Sequence, residues 1–185
     1  MGAAKAGPLH VALLRGINVG GKNKLPMAEL VRIFERAGCS DVETYIQSGN
    51  VVFRADDELA RRIPMLASKA IADRYGYRVP VAARSAAELR KVARSNPFLQ
   101  DRTEDEGLHV AFLAGKPSAA QLRTLDPKRS LPDQFIVRGA EIYLRCPNGL
   151  ARSKLTNKYF DTNLETTCTL RNWNTVLRLT QIATS

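Results

Sequence analysis

The sequence has no long apolar run: its longest such stretches span a few residues, far fewer than the roughly 20 that cross a bilayer. Its opening residues, MGAAKAGP, also lack the apolar segment of a secretory signal peptide. We therefore expect a cytoplasmic protein that has no membrane partner.

Cysteine and histidine are scarce in this chain. Cys39, Cys146 and Cys168 lie far apart without a CxxC pair, and the 2 histidines belong to no HExxH motif. An odd, scattered set of cysteines in a cytoplasmic protein is typically reduced. A structural zinc needs about four ligands at regular spacing. Because that spacing is missing, we expect neither a metal nor a cofactor.

The familiar catalytic motifs are missing as well. The chain has no GxSxG elbow, no evident Cys–His pair and no pair of carboxylates in an apolar setting. The sequence therefore identifies no catalytic residue and leaves open whether the protein is an enzyme. Aromatic residues make up only 6% of the chain, too few for the base-stacking sheet of an RNA-recognition module.

Positive charge, in contrast, is abundant. The chain has 28 Lys and Arg residues against 18 Asp and Glu residues, a formal net charge of +10. Clustered cations bind polyanions by releasing their counterions. The charge therefore favours a phosphate-bearing partner, a nucleotide or a nucleic acid, without identifying one.

An internal repeat is the strongest structural signal. LHVALLRG at 9–16 returns as LHVAFLAG at 108–115, identical at six of eight positions. YIQSGNVVF at 45–53 aligns with FIVRGAEIY at 135–143 through an aromatic–Ile start, a central glycine and a closing aromatic. Each half then follows the order βαββαβ, which predicts an α+β protein built from duplicated ferredoxin-like units with antiparallel sheets.

Periodicity and capping signals place the elements of both halves. The first half is predicted to contain strands 9–15, 42–47, 50–54 and 78–84 and helices 26–37, 57–75 and 85–94. The second is predicted to contain strands 108–114, 133–138, 141–146 and 167–171, a helix after Pro117, and helices 152–161 and 173–182. The predicted organisation is a flexible start 1–8, a first unit 9–94, a linker 95–107 and a second unit 108–185.

The two first strands are apolar on both faces, which indicates that both sheet faces are covered. Two independent domains on a linker would leave an apolar sheet face in water. We therefore predict that the two units pack into one compact body.

The connection after the first strand is longer than its counterpart. Pro26 follows Gly16 by ten positions, whereas Pro117 follows Gly115 by two, so INVGGKNK is a surface insertion of the first half. Such insertions often carry a site. Either amides around Gly20-Gly21 hold an anion with help from lysines, or the loop packs on the second half with its lysines solvated.

The insertion fits the phosphate-loop pattern GxxxxGK only in part. Asn23 stands where a Ser or Thr hydroxyl would bind magnesium. Pro26 predicts a helix start beyond Lys22, and the predicted sheet is antiparallel rather than parallel. These departures argue against a phosphate-loop NTPase.

A second polar concentration lies near the C-terminus, in SKLTNKYF and TLRNW. The spacing of Trp173 with later apolar residues predicts a core stripe of the closing helix. Asn172 is predicted to cap that helix. Arg171, Asn172 and Asn174 crowd the sole tryptophan, and such groups can bind a ligand or join the two halves.

The segments LRGINVGGKNKLPM, YIQSGNVVF, SKLTNKYF and TLRNWNTVLRL together resemble a bacterial family described as a domain of unknown function. The resemblance runs from about Leu9 to about Leu179. It implies a pair of ferredoxin-like units and no particular activity, cofactor or catalytic residue.

Two hypotheses of function follow. One is a binding module for an anionic ligand, a nucleotide or nucleic-acid phosphate. The alternative is a small-molecule binder or enzyme with a pocket between the halves. The sequence does not determine the oligomeric state. The predicted ligand-binding residues are Arg15, Asn18, Gly20, Gly21, Lys22, Lys24, Ser48, Asn50, Lys154, Lys158, Arg171, Asn172 and Trp173.

Overall fold

The computed structural model describes residues 7–99 and 107–184. These residues form an α+β fold with two four-stranded antiparallel sheets and six α-helices. Most of the predicted flexible start 1–8 and residues 100–106 of the predicted linker 95–107 lie outside the described residues. Two units are distinguished, Met1–Arg90 with Leu179–Ser185 and Lys91–Arg178, so the helices Ala86–Arg94 and Trp173–Ile182 each have residues in both units.

The first unit contains one sheet whose strands are ordered β2-β3-β1-β4, and every neighbouring pair is antiparallel. Its elements in chain order are β1 Leu9–Leu14, α1 Met27–Arg36, β2 Ser40–Tyr45, β3 Asn50–Arg54, α2 Asp57–Tyr75, β4 Val81–Ser85 and α3 Ala86–Arg94. β4 lies at the sheet edge, as the proline beside it predicts.

The core of this unit lies between the sheet and helices α1 and α2. Phe34 of α1, Phe53 of β3 and Ile63 of α2 are each fully buried in one hydrophobic cluster. On the opposite face of β1, Val11 and Leu13 are also fully buried. The prediction that both faces of this strand are covered is therefore confirmed.

Local signals explain the helix boundaries. The Asp56 carboxylate accepts the amide of Leu59 at the start of α2, and Gly76 ends that helix in the left-handed conformation. At α3, Glu88 accepts the Ser85 amide at 2.8 Å and donates its own amide to the Ser85 hydroxyl at 3.2 Å. The pair forms a capping box.

The second unit contains a sheet ordered β6-β7-β5-β8, again antiparallel throughout. Its elements in chain order are β5 Leu108–Leu113, α4 Ala119–Leu122, β6 Gln134–Arg138, β7 Glu141–Arg145, α5 Asn157–Leu164, β8 Cys168–Asn172 and α6 Trp173–Ile182. Ala111 of β5, Leu144 of β7 and Phe160 of α5 are fully buried in its hydrophobic cluster.

Strand β4 pairs with β1 in the same register as strand β8 pairs with β5. The matching pairs are Val11 with Arg84 and Val110 with Arg171, and His10 with Ser85 and His109 with Asn172. The two arginines also make the same local contact, because each donates Nη1 to the carbonyl of the preceding residue, at 2.8 and 2.9 Å.

Several predicted boundaries are wrong, and the predicted strand 42–47 is Ser40–Tyr45. Helix 152–161 instead begins at Asn157, because the Thr156 hydroxyl accepts the Tyr159 amide and caps the helix there. Lys154 therefore lies outside the helix rather than on one face with Lys158. The helix after Pro117 is only Ala119–Leu122, fixed by a capping box of Ser118 and Gln121.

The strand predicted at 78–84 is β4, which begins at Val81. Pro80, which has no amide to donate, lies outside it and accepts the Arg15 amide through its carbonyl at 3.0 Å. Across the described ranges, every helix is too short or too polar to traverse a lipid bilayer.

Candidate functional site

The insertion after β1 folds into a small hairpin. The Asn18 amide donates to the Asn23 carbonyl at 3.1 Å, and the Lys22 amide donates to the Val19 carbonyl at 3.0 Å. Gly20 and Gly21, at the tip, have φ values of 57° and 73°. Two successive positive φ values with this closing hydrogen bond are typical of a type I′ turn, which explains the glycine pair.

Asparagine side chains close the base of the hairpin. Asn18 bonds both backbone groups of Leu25, and Nδ2 of Asn23 donates to the Gly16 carbonyl at 2.8 Å. Ile17 and Leu25 are each 1% exposed. The hairpin thus projects from two buried apolar residues, with a backbone fixed by its own side chains.

A second turn, residues 46–49, lies against the hairpin. Nδ2 of Asn18 also donates to the Gln47 carbonyl at 3.3 Å. The fully buried Asn50 stabilises this turn, because its Nδ2 donates to the Ser48 hydroxyl at 2.9 Å and to the Tyr45 carbonyl at 3.1 Å. Both predicted residues, Ser48 and Asn50, therefore help to shape the turn.

The hairpin exposes positive charge and one apolar side chain. Lys22 and Lys24 are exposed, and Val19 is 63% exposed. The Tyr77 hydroxyl donates to the Lys24 carbonyl at 3.1 Å, which holds the backbone of that lysine in place. Both ammonium groups therefore extend into solvent from an ordered backbone.

The structure brings eight of the predicted site residues to one end of the first sheet, after β1 and up to the first residue of β3. They are Arg15, Asn18, Gly20, Gly21, Lys22, Lys24, Ser48 and Asn50. The other five, Lys154, Lys158, Arg171, Asn172 and Trp173, belong to the second unit. That the two groups form one ligand site stays a prediction.

In the second unit, the predicted residues around β8 have evident structural contacts. The side-chain Oδ1 of Asn172 accepts the Thr175 amide at 2.8 Å, so the predicted cap of α6 is present. Trp173 is 2% exposed, as its core spacing predicts. Burial lowers the pKa of Arg171 to about 10, so its guanidinium is still charged at neutral pH.

A cleft of about 520 Å³ lies between α5 and the segment after α4. Its lining is rich in hydroxyl groups and contains the predicted residue Lys158; the full set is Thr124, Asp126, Arg129, Thr156, Lys158, Tyr159, Thr162 and Asn163. Sequence reasoning missed Arg129 and Tyr159, because their meeting depends on how the segment 123–130 folds back onto α5. Lys154 is exposed outside this lining.

The model of a protein family described as "Protein of unknown function (DUF1697)" matches residues 9–143. The chain belongs to this family. The predicted family resemblance is thereby confirmed, although the matched range ends before the C-terminal segments SKLTNKYF and TLRNW.

One solved structure resembles this DUF1697 member over nearly its whole length. It is the conserved bacterial protein SP0830 from Streptococcus pneumoniae, with a TM-score of 0.71 and 22% sequence identity. The alignment covers 95% of this chain and 98% of that one. At this identity the likeness shows a common fold. A search of curated proteins finds no match.

The three cysteines of the DUF1697 chain are buried thiols. Burial raises the pKa of the Cys39 thiol to about 11. Burial also raises the pKa of the Cys146 thiol, to about 11. A hydrogen bond with Ser153 opposes this rise, and the Asp133 carboxylate adds to it. Thiols in such settings are poor nucleophiles. Residues 7–99 and 107–184 contain no cluster of three side chains suited to holding a metal ion.

Proposed function

We propose that the chain is a binding module for a phosphate-bearing ligand, a nucleic acid or a nucleotide, and that the hairpin of residues 16–24 makes the main contact. The observation that carries this proposal is the pair of exposed lysines on a fixed backbone. The net charge of +10 adds a field that attracts polyanions.

Order in the hairpin matters for affinity. A flexible loop would lose backbone freedom on binding, and that loss would weaken the complex. Here Asn18, Asn23 and Tyr77 already hold the backbone in place. Lys22 and Lys24 can then meet successive phosphates at the cost of ordering only their side chains.

The basic residues of the second unit form the other part of this proposal. Lys154 and Lys158 are exposed, and Arg171 keeps its charge at neutral pH. Arg15, at the end of β1, supplies a further cation beside the hairpin. These residues are further cations for the phosphates of a polymer, whereas a single nucleotide would need only the hairpin.

Fluorescence anisotropy with a labelled single-stranded oligonucleotide tests the proposal. A complex with about six phosphate contacts loses roughly 10³ in affinity between 50 and 200 mM salt. The double variant Lys22→Gln/Lys24→Gln is expected to bind more weakly and to reduce the slope of log affinity against log salt by about two, since each lysine neutralises about one phosphate.

Lys116→Gln is the matched control, because Lys116 is an exposed lysine in the corresponding connection of the second unit. It is expected to change neither affinity nor slope beyond its loss of net charge. Equal losses of affinity in Lys116→Gln and in the double variant would contradict a phosphate contact through the hairpin. Binding that does not respond to salt would remove phosphate contacts altogether.

A small-molecule binder is the second candidate, favoured by the cleft beside α5, whose volume of about 520 Å³ is within the usual range for ligand pockets. Thermal-shift measurements with a metabolite library test it, since a ligand that binds the folded state raises the melting temperature. Shifts that persist at high salt would favour this candidate over a polyanion binder.

We also propose that the two units are ferredoxin-like copies from a duplication. The support is the shared strand order, the shared register of Arg84 and Arg171, and the helix caps at the equivalent positions Ser85 and Asn172. In an experimental structure, superposing residues 9–94 on 108–182 should align Val11 with Val110. A register shift between the units would contradict the duplication.

A further inference from the structure

Two hydroxyl groups in the lining of the second unit's cleft each accept a backbone amide. The Tyr159 hydroxyl oxygen accepts the Asp126 amide at 2.8 Å, and the Thr156 hydroxyl oxygen accepts the Tyr159 amide at 3.2 Å. Since backbone amides occupy an acceptor site on each oxygen, each hydroxyl hydrogen is left to donate. Both hydroxyls thus present donors at the cleft.

Two cations line the same cleft. The guanidinium carbon of Arg129 lies 4.9 Å from the centre of the Tyr159 ring, a cation–π contact that orients the arginine. Lys158, on the first turn of α5, supplies the second positive charge. A guanidinium stacked on a ring keeps its edge N–H groups directed outwards for an oxyanion.

One carboxylate opposes these two cations. Asp126 is the only acidic residue in the lining, and its Oδ1 accepts the Lys128 amide at 2.9 Å. That contact uses part of its acceptor capacity on the backbone of its own turn. The lining therefore keeps a net positive charge of one at neutral pH, taken over its eight residues.

We infer that this cleft binds a small organic phosphate. An arginine fork, a lysine ammonium and hydroxyl donors together match the several oxygens of a phosphate monoester. A volume of about 520 Å³ exceeds what an inorganic phosphate ion fills, so the ligand carries an organic group beyond the phosphate. The cleft and the hairpin of residues 16–24 share no residue, and this inference rests on the second candidate function, a small-molecule binder, rather than on the function proposed for the hairpin.

Isothermal titration of the full chain with AMP, glucose 6-phosphate, inorganic phosphate and citrate tests this inference. At least one of the two organic phosphates is expected to bind more tightly than inorganic phosphate and than citrate. Arg129→Gln and Lys158→Gln are each expected to weaken that binding by about tenfold to a hundredfold, the usual effect of losing a charge-assisted hydrogen bond.

Two further variants make the test specific. Lys128→Gln removes a neighbouring charge that lies outside the lining, and should leave the affinity within about twofold, because exposed charges are screened. Asp126→Asn keeps an oxygen for the Lys128 amide but removes the opposing charge, and is expected to tighten binding. The Lys22→Gln/Lys24→Gln variant should bind the organic phosphate as well as the wild type does.

Three outcomes would overturn the inference. The first is the absence of millimolar or tighter binding by either organic phosphate. The second is citrate binding as well as they do, which would indicate a general anion surface. The third is an equal loss in Lys128→Gln and Lys158→Gln. Circular dichroism of each variant confirms that it is folded, and since these side chains are exposed, the substitutions should leave stability nearly unchanged.

Discussion

Asn18 and Leu25 form a reciprocal pair: Oδ1 of Asn18 accepts the Leu25 amide at 2.8 Å, while Nδ2 donates to the Leu25 carbonyl at 2.9 Å. The side-chain amide of Asn18 thereby makes the two hydrogen bonds to Leu25 that a residue of a neighbouring strand would make. Because the Leu25 side chain is buried, this pair ties the hairpin to the core of the first unit. The order of the proposed phosphate contact depends on it.

Replacing Asn18 with glycine should destabilise the fold by about 1–3 kcal/mol, since both Leu25 backbone groups lose their partner. Glycine tolerates the positive φ of 54° at this position, so the loss reports the hydrogen bonds rather than backbone strain. Urea denaturation measures the change.

Asn23→Gly is the matched control for that experiment. Asn23 also has a positive φ, of 50°, but makes one bond to the carbonyl of Gly16, which is exposed and can bond water instead. Its cost should stay below about 1 kcal/mol. If Asn23→Gly lowered the free energy of unfolding as much as Asn18→Gly, the two hydrogen bonds between Asn18 and Leu25 would not explain the loss.

Gly49 permits a close approach between two turns. A Cβ at this position would lie 2.8 Å from the Leu14 Cβ and 3.0 Å from the Ile17 Cδ1, and φ is 81°. Gly49→Ala should therefore cost about 1–3 kcal/mol more than Gly20→Ala, because overpacking adds to the backbone strain that both share. A Cβ on Gly20 meets no atom within 4 Å of it. Thermal melts of the two variants compare them directly, and equal melting temperatures would contradict the close approach.

Ile46 has a φ of 50° although it is β-branched, and it is 51% exposed. A left-handed conformation costs such a residue about 1–2 kcal/mol, which asparagine largely avoids. Ile46→Asn should therefore stabilise the fold by about 1 kcal/mol. Ile46→Val retains the branched carbon and should give no gain. Chemical denaturation of both variants decides, and a stability for Ile46→Asn no higher than for Ile46→Val would count against strain in this turn.

His109 links stability to pH. Burial lowers its pKa below the usual 6.5, an effect only partly offset by its contact with the Gly107 carbonyl. The unfolded chain therefore takes up a proton that the folded chain resists, so stability is complete above pH 6.5 and falls as the pH drops through that value. Urea midpoints between about pH 5.5 and 7.5 should show a shallower dependence in His109→Gln than in the wild type. An identical dependence would mean that another group is responsible.

Local sequence signals were enough to predict most of the helices. Helix α2 spans Asp57–Tyr75 and helix α6 spans Trp173–Ile182, both as predicted, because caps and apolar spacing within each segment determine them. The start of α5 was wrong, since a run of polar residues before Asn157 gave no apolar period from which to judge it. Thr156, which caps that helix, is a common start signal that the spacing argument overlooked.

The candidate sites were predictable only in part. The insertion of residues 17–24 stood out because its repeat partner lacks it, yet its hairpin form depends on Asn18 reaching Leu25 and Gln47. The cleft beside α5 was not foreseen. Arg129 and Tyr159 are 30 positions apart in the chain, and no local pattern indicates that a guanidinium will stack on that ring.

The sequence by itself determined the α+β class, the repeated order of strands and helices, and the excess of positive charge. These properties follow from apolar periodicity, capping residues and composition, which act within a few residues or over the whole chain. Only the tertiary structure decided which polar groups meet, such as Asn18 with Leu25 and Arg129 with Tyr159. Hydrogen bonds and ring contacts form only when the groups lie about 3 to 6 Å apart. Residues that are far apart in the sequence reach such distances only when the backbone has folded.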